Sequence, residues 1–176
     1  MKPKFISKIF PLLFSVFLLL NAGCEQGGIP VRSNNKQDKL SIYADYGPEE
    51  IDIIPLTGFV KTGNAQQSQI NLYVSLLDAF GSEIKSPCIF RFELYEKIQR
   101  SAEPKGKRVV IWPDIDLIEP DVNNKYWRNF LRAYEFNLPF VPAINQIYIL
   151  EVTCLCPTGK RITSDFTIDT QNASAS

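Results

Sequence analysis

Histidine is missing from this chain altogether. With it go the commonest metal ligand, the commonest acid or base near neutral pH, and every Ser-His or Cys-His nucleophile arrangement. Methionine occurs once, at the initiator position, and the four cysteines include no Cys-x-x-Cys pair. Cys154 and Cys156 with one distant Cys88 fall short of the ligands of a structural zinc site, so neither a metal nor a cofactor is expected. Excess charge is lacking too. Basic and acidic residues number 19 each, and setting aside Lys2, Lys4 and Lys8 leaves 16 against 19 from residue 24 onward. Such a balance offers nothing to a polyanion and argues against nucleic acid as a partner.

What is present is aromatic and suited to sheets. The chain holds 12 phenylalanines, 7 tyrosines and 2 tryptophans, a composition that favours strands over helical bundles. It opens with Lys2, Lys4 and Lys8 and then runs apolar from Ile9 to Leu20, broken only by Ser15 and opened by Pro11. That is the layout of a signal segment. Asn21, Gly23, Glu25 and Gln26 stop the run short of the roughly 20 apolar residues that a retained anchor needs.

The segment closes on Asn21-Ala22-Gly23-Cys24. This resembles the lipobox of bacterial lipoproteins, with Asn21 where the family usually has Leu. In that family the signal peptidase cuts before a cysteine that already carries a diacylglyceryl group. The resemblance implies removal of residues 1–23, lipidation of Cys24 and attachment to membrane lipid. A conventional cut that leaves Cys24 an ordinary thiol, and an uncleaved anchor, are the alternatives. Glu25 follows the cysteine instead of the aspartate that retains enteric lipoproteins in the inner membrane. The resemblance therefore favours an outer membrane, facing the periplasm, over the inner membrane or the cell surface.

Residues 24–39 are polar and rich in turn formers, as befits a flexible tether. Residues 40–168 then read as one β domain, and 169–176 as a small, polar, frayed tail whose Asn172-Ala173-Ser174 matches a glycosylation sequon. Leu40 to Asp45 alternates weakly, as an edge strand would. Ile51 to Val60 is a strand region, placed at an edge or bulged by Pro55, with a second bend at Gly58. Gln69 to Ala79 puts Ile70, Leu72, Val74 and Leu76 on one face, and Gly81 closes its turn. Cys88 to Tyr95 sets Cys88, Phe90, Phe92 and Leu94 against Ile89, Arg91, Glu93 and Tyr95. Arg108 to Trp112 is a short strand stopped by Pro113. The stretch from Tyr126 to Leu131 suits a helical turn or two, before a strand through Leu138. Gln146 to Cys156 and Arg161 to Ile168 form a hairpin around Pro157-Thr158-Gly159-Lys160.

Seven or eight short strands without a long amphipathic helix predict an all-β, antiparallel sandwich. The segment from Asn71 to Tyr95 resembles the strand-turn-strand units of immunoglobulin-like or transthyretin-like extracytoplasmic domains, and Trp112 and Trp127 lie between Cys88 and Cys154 as the Trp of an immunoglobulin domain lies between its cysteines.

Several groups qualify as sites. Trp112, Tyr126, Trp127 and Tyr134 would serve a sugar-binding platform if exposed, and a core if not. Asp114, Asp116 and Glu119 would serve a carboxylate hydrolase if they lined a cleft, and with Asp121 they raise a calcium reading, although the spacing of an EF-hand is absent. Lys97, Arg100, Lys105, Lys107 and Arg108 read as an anion patch or, more plainly, as a solvated loop. Arg128 and Arg132 are placed to lie over the aromatic tract. Cys154 and Cys156 share a face and cannot bridge while extended. One disulfide is expected, from Cys88 across the core to Cys154 or Cys156, with three buried free thiols as the alternative. The function expected is a noncatalytic, membrane-anchored envelope module that contacts another envelope protein or a polysaccharide. A carbohydrate-binding module and a carboxylate hydrolase are the competing classes.

Overall fold

A computed structural model describes residues 46–61 and 68–170. The edge strand expected at 40–45, the lipidation site, the tether and most of the tail lie outside them. Among the described residues eleven strands and one short helix follow in order: β1 (Glu50–Ile53), β2 (Gly58–Lys61), β3 (Ser68–Leu77), β4 (Glu83–Ile84), β5 (Ile89–Lys97), β6 (Lys105–Ile111), β7 (Ile115–Asp116), α1 (Pro120–Tyr126), β8 (Trp127–Arg128), β9 (Ala133–Pro139), β10 (Ile147–Leu155) and β11 (Arg161–Asp169).

They form two antiparallel sheets. One has the order β1-β3-β9-β8, with β2 and β4 also on β3; the other has the order β11-β10-β5-β6, with β7 also on β5. Their apolar faces meet in a single core. Ile70, Leu72, Val74 and Leu76 from β3, Phe90, Phe92 and Leu94 from β5, Tyr134 and Phe136 from β9, and Leu150 and Val152 from β10 are all fully buried. Phe90 and Phe92 pack on Phe136 across the sandwich at ring separations of 5.0 and 4.8 Å. The strong period-2 patterns in the sequence are the faces that meet here.

Strands outnumber the expected seven or eight because both long edge strands are broken and two two-residue pairings, β4 and β8, are added. β1 and β2 are two arms of one edge. Between them Pro55 interrupts the ladder, and the Thr57 hydroxyl repairs it by accepting the Tyr73 N–H at 3.1 Å. Ile51, Ile53, Thr57 and Phe59 keep their inward side while Pro55 and Leu56 turn out. β6 and β7 are likewise parted at Pro113, with Trp112 N–H bonded to Phe92 O and Leu117 N–H to Cys88 O across the break.

Two expectations are corrected. The helix spans Pro120–Tyr126, ahead of the stretch where a helical turn was expected, with Pro120 in its first turn, Asp121 at its positive end and Lys125 at its negative end. Cys88 immediately precedes β5, the neighbour of β10 in one sheet, so it approaches Cys154 along the ladder and not across the core.

The registers also define two poles. One gathers the beginning of β1, the turn after β3, the beginning of β5 and the β10–β11 turn. The other gathers the β5–β6 and β9–β10 connections and the end of β11.

Candidate functional site

The first pole carries the densest chemistry. β10 ends at Leu155 opposite Ile89, delivering Cys154, Cys156 and Cys88 to one end of the sheet. All three are buried free thiols. Cys154 lies where both neighbours act on its ionisation: the Cys156 thiol pulls it down, but the Cys88 thiol and burial prevail and hold it well above the usual thiol range. The Cys154 thiol and burial likewise push Cys156 up, against the opposing charge of Lys160. Thiols held protonated in this way are poor nucleophiles and poor metal ligands at neutral pH.

Two cavities flank the segment Lys85-Ser86-Pro87 at this pole. The larger, about 730 Å³, is walled by Tyr46, Pro48, Pro87, Cys156, Pro157 and Lys160 among others. The smaller, about 510 Å³, is walled by Ile118, Pro120, Asp121 and Asn123 on its far side. A buried polar network fixes the partition between them. Tyr134 Oη accepts the Ser86 N–H at 3.0 Å and lies 3.1 Å from Ser86 O and 3.0 Å from Asn123 Oδ1, where its one proton is shared. Asn123 Nδ2 donates to Ser86 O and Leu117 O, both at 2.9 Å. Burial raises the Tyr134 pKa, keeping the hydroxyl a neutral donor and acceptor.

This network decides the aromatic candidates. Tyr134 and Trp112 are core residues, the latter donating its indole N–H to Pro139 O at 3.1 Å. Tyr126 and Trp127 are half-buried, packed on Phe136 and on Tyr134. The four rings do not assemble into an exposed platform, and Lys85 covers the Trp127 ring at 5.1 Å.

The carboxylates are dispersed. Asp114 is held in a two-pronged pair by Arg91, with bonds of 3.0 and 2.9 Å, and that pairing lowers its pKa. Asp116 accepts the Ile118 N–H in a local turn, and Glu119 precedes α1 without capping it by a side-chain bond. None of the three lines either cavity. Among the described residues, no group of three or more His, Cys, Asp or Glu is placed to hold a metal ion.

The basic residues Lys105 and Arg108 meet a row of acids on the outer face of the second sheet. Glu93, Glu151 and Asp165 fall directly opposite one another across β5, β10 and β11. Like charges in register repel, so this row needs cations. Lys105 bridges Glu151 and Asp165, Arg108 pairs with Glu93 at 2.8 Å, and Lys97 reaches Thr167. The Arg108 hydrogen bond outweighs burial and lowers the Glu93 pKa. Lys105 and Arg108 are therefore spent on the sheet's outer face and are not free for an anion. Arg128 pairs with Glu135 and Arg132 with Glu83. The cavity beside Cys156 and the Tyr134–Asn123–Ser86 network went unread in the sequence, because both depend on residues brought together from β1, β5, α1, β9 and β10.

No protein-family model, curated protein or solved structure matches this chain.

Proposed function

We propose that the chain is a noncatalytic, lipid-anchored module of a bacterial envelope, held through Cys24 and contacting a protein partner with the pole remote from its tether. The observation that carries this reading is a loop that presents two exposed apolar side chains together. The described chain begins at Tyr46, beside the Cys156 cavity, so the first described residue belongs to the first pole. Residues 24–39 span at most about 55 Å when extended, enough to clear lipid headgroups. At the opposite pole the connection after β9 leaves Ile144 91 % and Val141 68 % exposed, with Ile98 half exposed on the neighbouring connection. Apolar side chains grouped on exposed loops of a rigid scaffold suit a protein surface better than a polysaccharide.

The strand order supports a finer reading of the fold as immunoglobulin-like. With broken strands joined, β1/β2-β3-β9-β8 against β11-β10-β5-β6/β7 corresponds to the ABED and GFC arrangement with an added C′ strand. The inter-sheet disulfide of antibody domains has no counterpart, since β3 holds no cysteine.

Incorporation of labelled fatty acid into the native protein and into Cys24→Ala tests the anchor; equal incorporation overturns it. A photo-crosslinking residue at position 144 tests the contact in intact cells. Adducts at 144 and none at position 80 of the first pole, where Phe80 is 83 % exposed, are expected, and equal yields at both positions overturn the assignment.

A further inference from the structure

The three cysteines are ordered by access. Cys154 faces Phe90 and Leu155 faces Ile89, so one step along the same register sets Cys156 opposite Cys88 and leaves Cys154 diagonal to Cys88. Residues two apart in an extended chain share a face, which brings all three to the same side. Cys88 and Cys154 have no exposed surface, and the Cys88 thiol donates to Ser86 O at 3.5 Å. Only Cys156 borders the 730 Å³ cavity, where Pro87, Pro157 and Tyr46 supply apolar wall and Lys160 a cation. A small molecule inside that cavity meets Cys156 first, and the Cys154 thiol contacts both the Cys156 and the Cys88 thiols.

We propose that these thiols form an inward relay, in which Cys156 takes an oxidising equivalent from a small external disulfide in the cavity and the bond comes to rest between Cys88 and Cys154. In the first step the Cys156 thiolate attacks one sulfur of the external disulfide R–S–S–R. That bond breaks, a mixed disulfide forms on Cys156, and one RS⁻ leaves and takes up the Cys156 proton. The Cys154 thiolate then attacks the Cys156 sulfur, expelling the second RS⁻, which takes the Cys154 proton. Finally the Cys88 thiolate attacks the Cys154 sulfur and expels Cys156 as a thiolate, which takes the Cys88 proton. The protein dithiol is oxidised and the external disulfide reduced to two thiols, with Cys156 regenerated. Bonding between Cys154 and Cys156 is admissible as an intermediate because their thiols already contact each other and Cys156 lies past the end of β10, where the chain can give as it enters the turn. Burial disfavours the thiolates, so the relay runs slowly at neutral pH and faster as pH rises.

The test uses the full chain carrying Cys24→Ala, so that three cysteines remain, treated with oxidised glutathione, quenched by alkylation and mapped by tandem mass spectrometry. The parent should lose two thiols and yield Cys88 bonded to Cys154. Cys154→Ser should stop at a glutathione adduct on Cys156, and Cys88→Ser at the Cys154–Cys156 bond. Cys156→Ser should oxidise at least about tenfold more slowly than the parent. Urea midpoints are measured alongside, and Cys156→Ala repeats the comparison if serine lowers the midpoint. The relay is overturned if loss of Cys156 leaves the rate unchanged, if the parent yields a Cys88–Cys156 bond, or if all three cysteines react at one common rate, as they would through unfolding.

Discussion

Replacing Tyr134 by phenylalanine removes one oxygen and little else, because the ring stays where Phe90, Phe136 and Trp127 hold it. What is lost is the only side-chain acceptor of the Ser86 N–H and the donor shared by Ser86 O and Asn123 Oδ1. Ser86 O keeps its bond from Asn123 Nδ2, so two groups are left short: the Ser86 N–H and the Asn123 carbonyl oxygen. An unpaired buried polar group costs about 1–3 kcal/mol. Two of them, with some relaxation of the 85–87 segment, give a loss of about 2–4 kcal/mol. At about 2–4 °C per kcal/mol for a chain of this size, the melting temperature should fall by roughly 5–15 °C. Urea unfolding followed by tryptophan fluorescence measures the loss directly, with an unchanged m-value marking an unchanged native state.

Alkaline titration gives the same substitution a second signature. Tyr134 has its pKa raised in the folded protein by burial, so its contribution is fully present below the ordinary tyrosine pKa and is lost as pH climbs from there toward the folded value. Above about pH 10 the unfolded chain sheds this proton and the folded chain retains it, which lowers stability by about 1.4 kcal/mol per pH unit. Tyr134→Phe lacks that slope, so the gap between parent and variant should narrow above pH 10. A loss below about 0.5 kcal/mol at pH 7, or a gap that stays constant into alkali, would refute the assignment of this hydroxyl as the pin between α1 and the cavity walls.

Other substitutions probe the remaining supports. Glu93 has its pKa lowered by Arg108, so the stability it confers is present above the ordinary carboxylate pKa and is lost as pH falls through the folded value; Glu93→Gln should flatten the acid limb of the urea midpoint measured from pH 5 to pH 2. Lys105→Ala leaves Glu151 and Asp165 facing each other beside Glu93 and should cost about 1 kcal/mol at low ionic strength, a deficit that shrinks in 0.5 M salt when the two conditions are compared by urea titration. Gly106→Ala would place a methyl group 2.9 Å from Ile98 Cγ1 and 3.0 Å from the Glu96 carbonyl oxygen, which is backbone and cannot swing aside, so calorimetry should show a loss of about 1–3 kcal/mol. Gly58→Ala meets open space without a positive φ and should be neutral or stabilising by up to about 1 kcal/mol in the same calorimetric assay.

The parts of the fold that were legible are those in which one residue in two must face the core. Ile70, Leu72, Val74 and Leu76, and Phe90, Phe92 and Leu94, announce their strands because nothing but a sheet buries that pattern. The turn residues were legible for a local reason: Gly81 and Gly159 both adopt positive φ, and Pro55 breaks the edge where its missing N–H would leave a gap. Two-residue pairings such as β4 and β8 carry too few positions to show a period. α1 was hidden because Glu119 gives no side-chain cap and Asp121 drew attention as a carboxylate rather than as an acid at a helix start. The cysteines needed the β5–β10 register, which no local turn sets, since these strands are far apart in sequence. Glu93 was least legible of all. Its alternation puts it on the outer face, and only Arg108 and the Tyr95 hydroxyl, bonded to it at 2.8 Å, make that position a buried one.

How the sheet edges are finished bears on how a partner is met. An open edge strand offers a row of unpaired N–H and C=O groups to which another chain can add. Here β1 lies beside β11, so one side of the sandwich is closed by the edges of its own two sheets. The β1/β2 edge is further interrupted by Pro55, and the β6/β7 edge by Pro113 together with register shifts at Leu94/Tyr95 and Tyr95/Lys97. β8 pairs over only two residues. Edge pairing is thereby limited at these breaks, while residues 135–139 of β9 lie beyond its two-residue pairing with β8. The proposed contact falls to a loop: the one with the most exposed apolar side chains, Val141 to Ile144, stands at the pole opposite Tyr46. Blunted edges and a presented loop are thus one arrangement: the first suppresses indiscriminate pairing along the backbone, and the second leaves recognition to side chains.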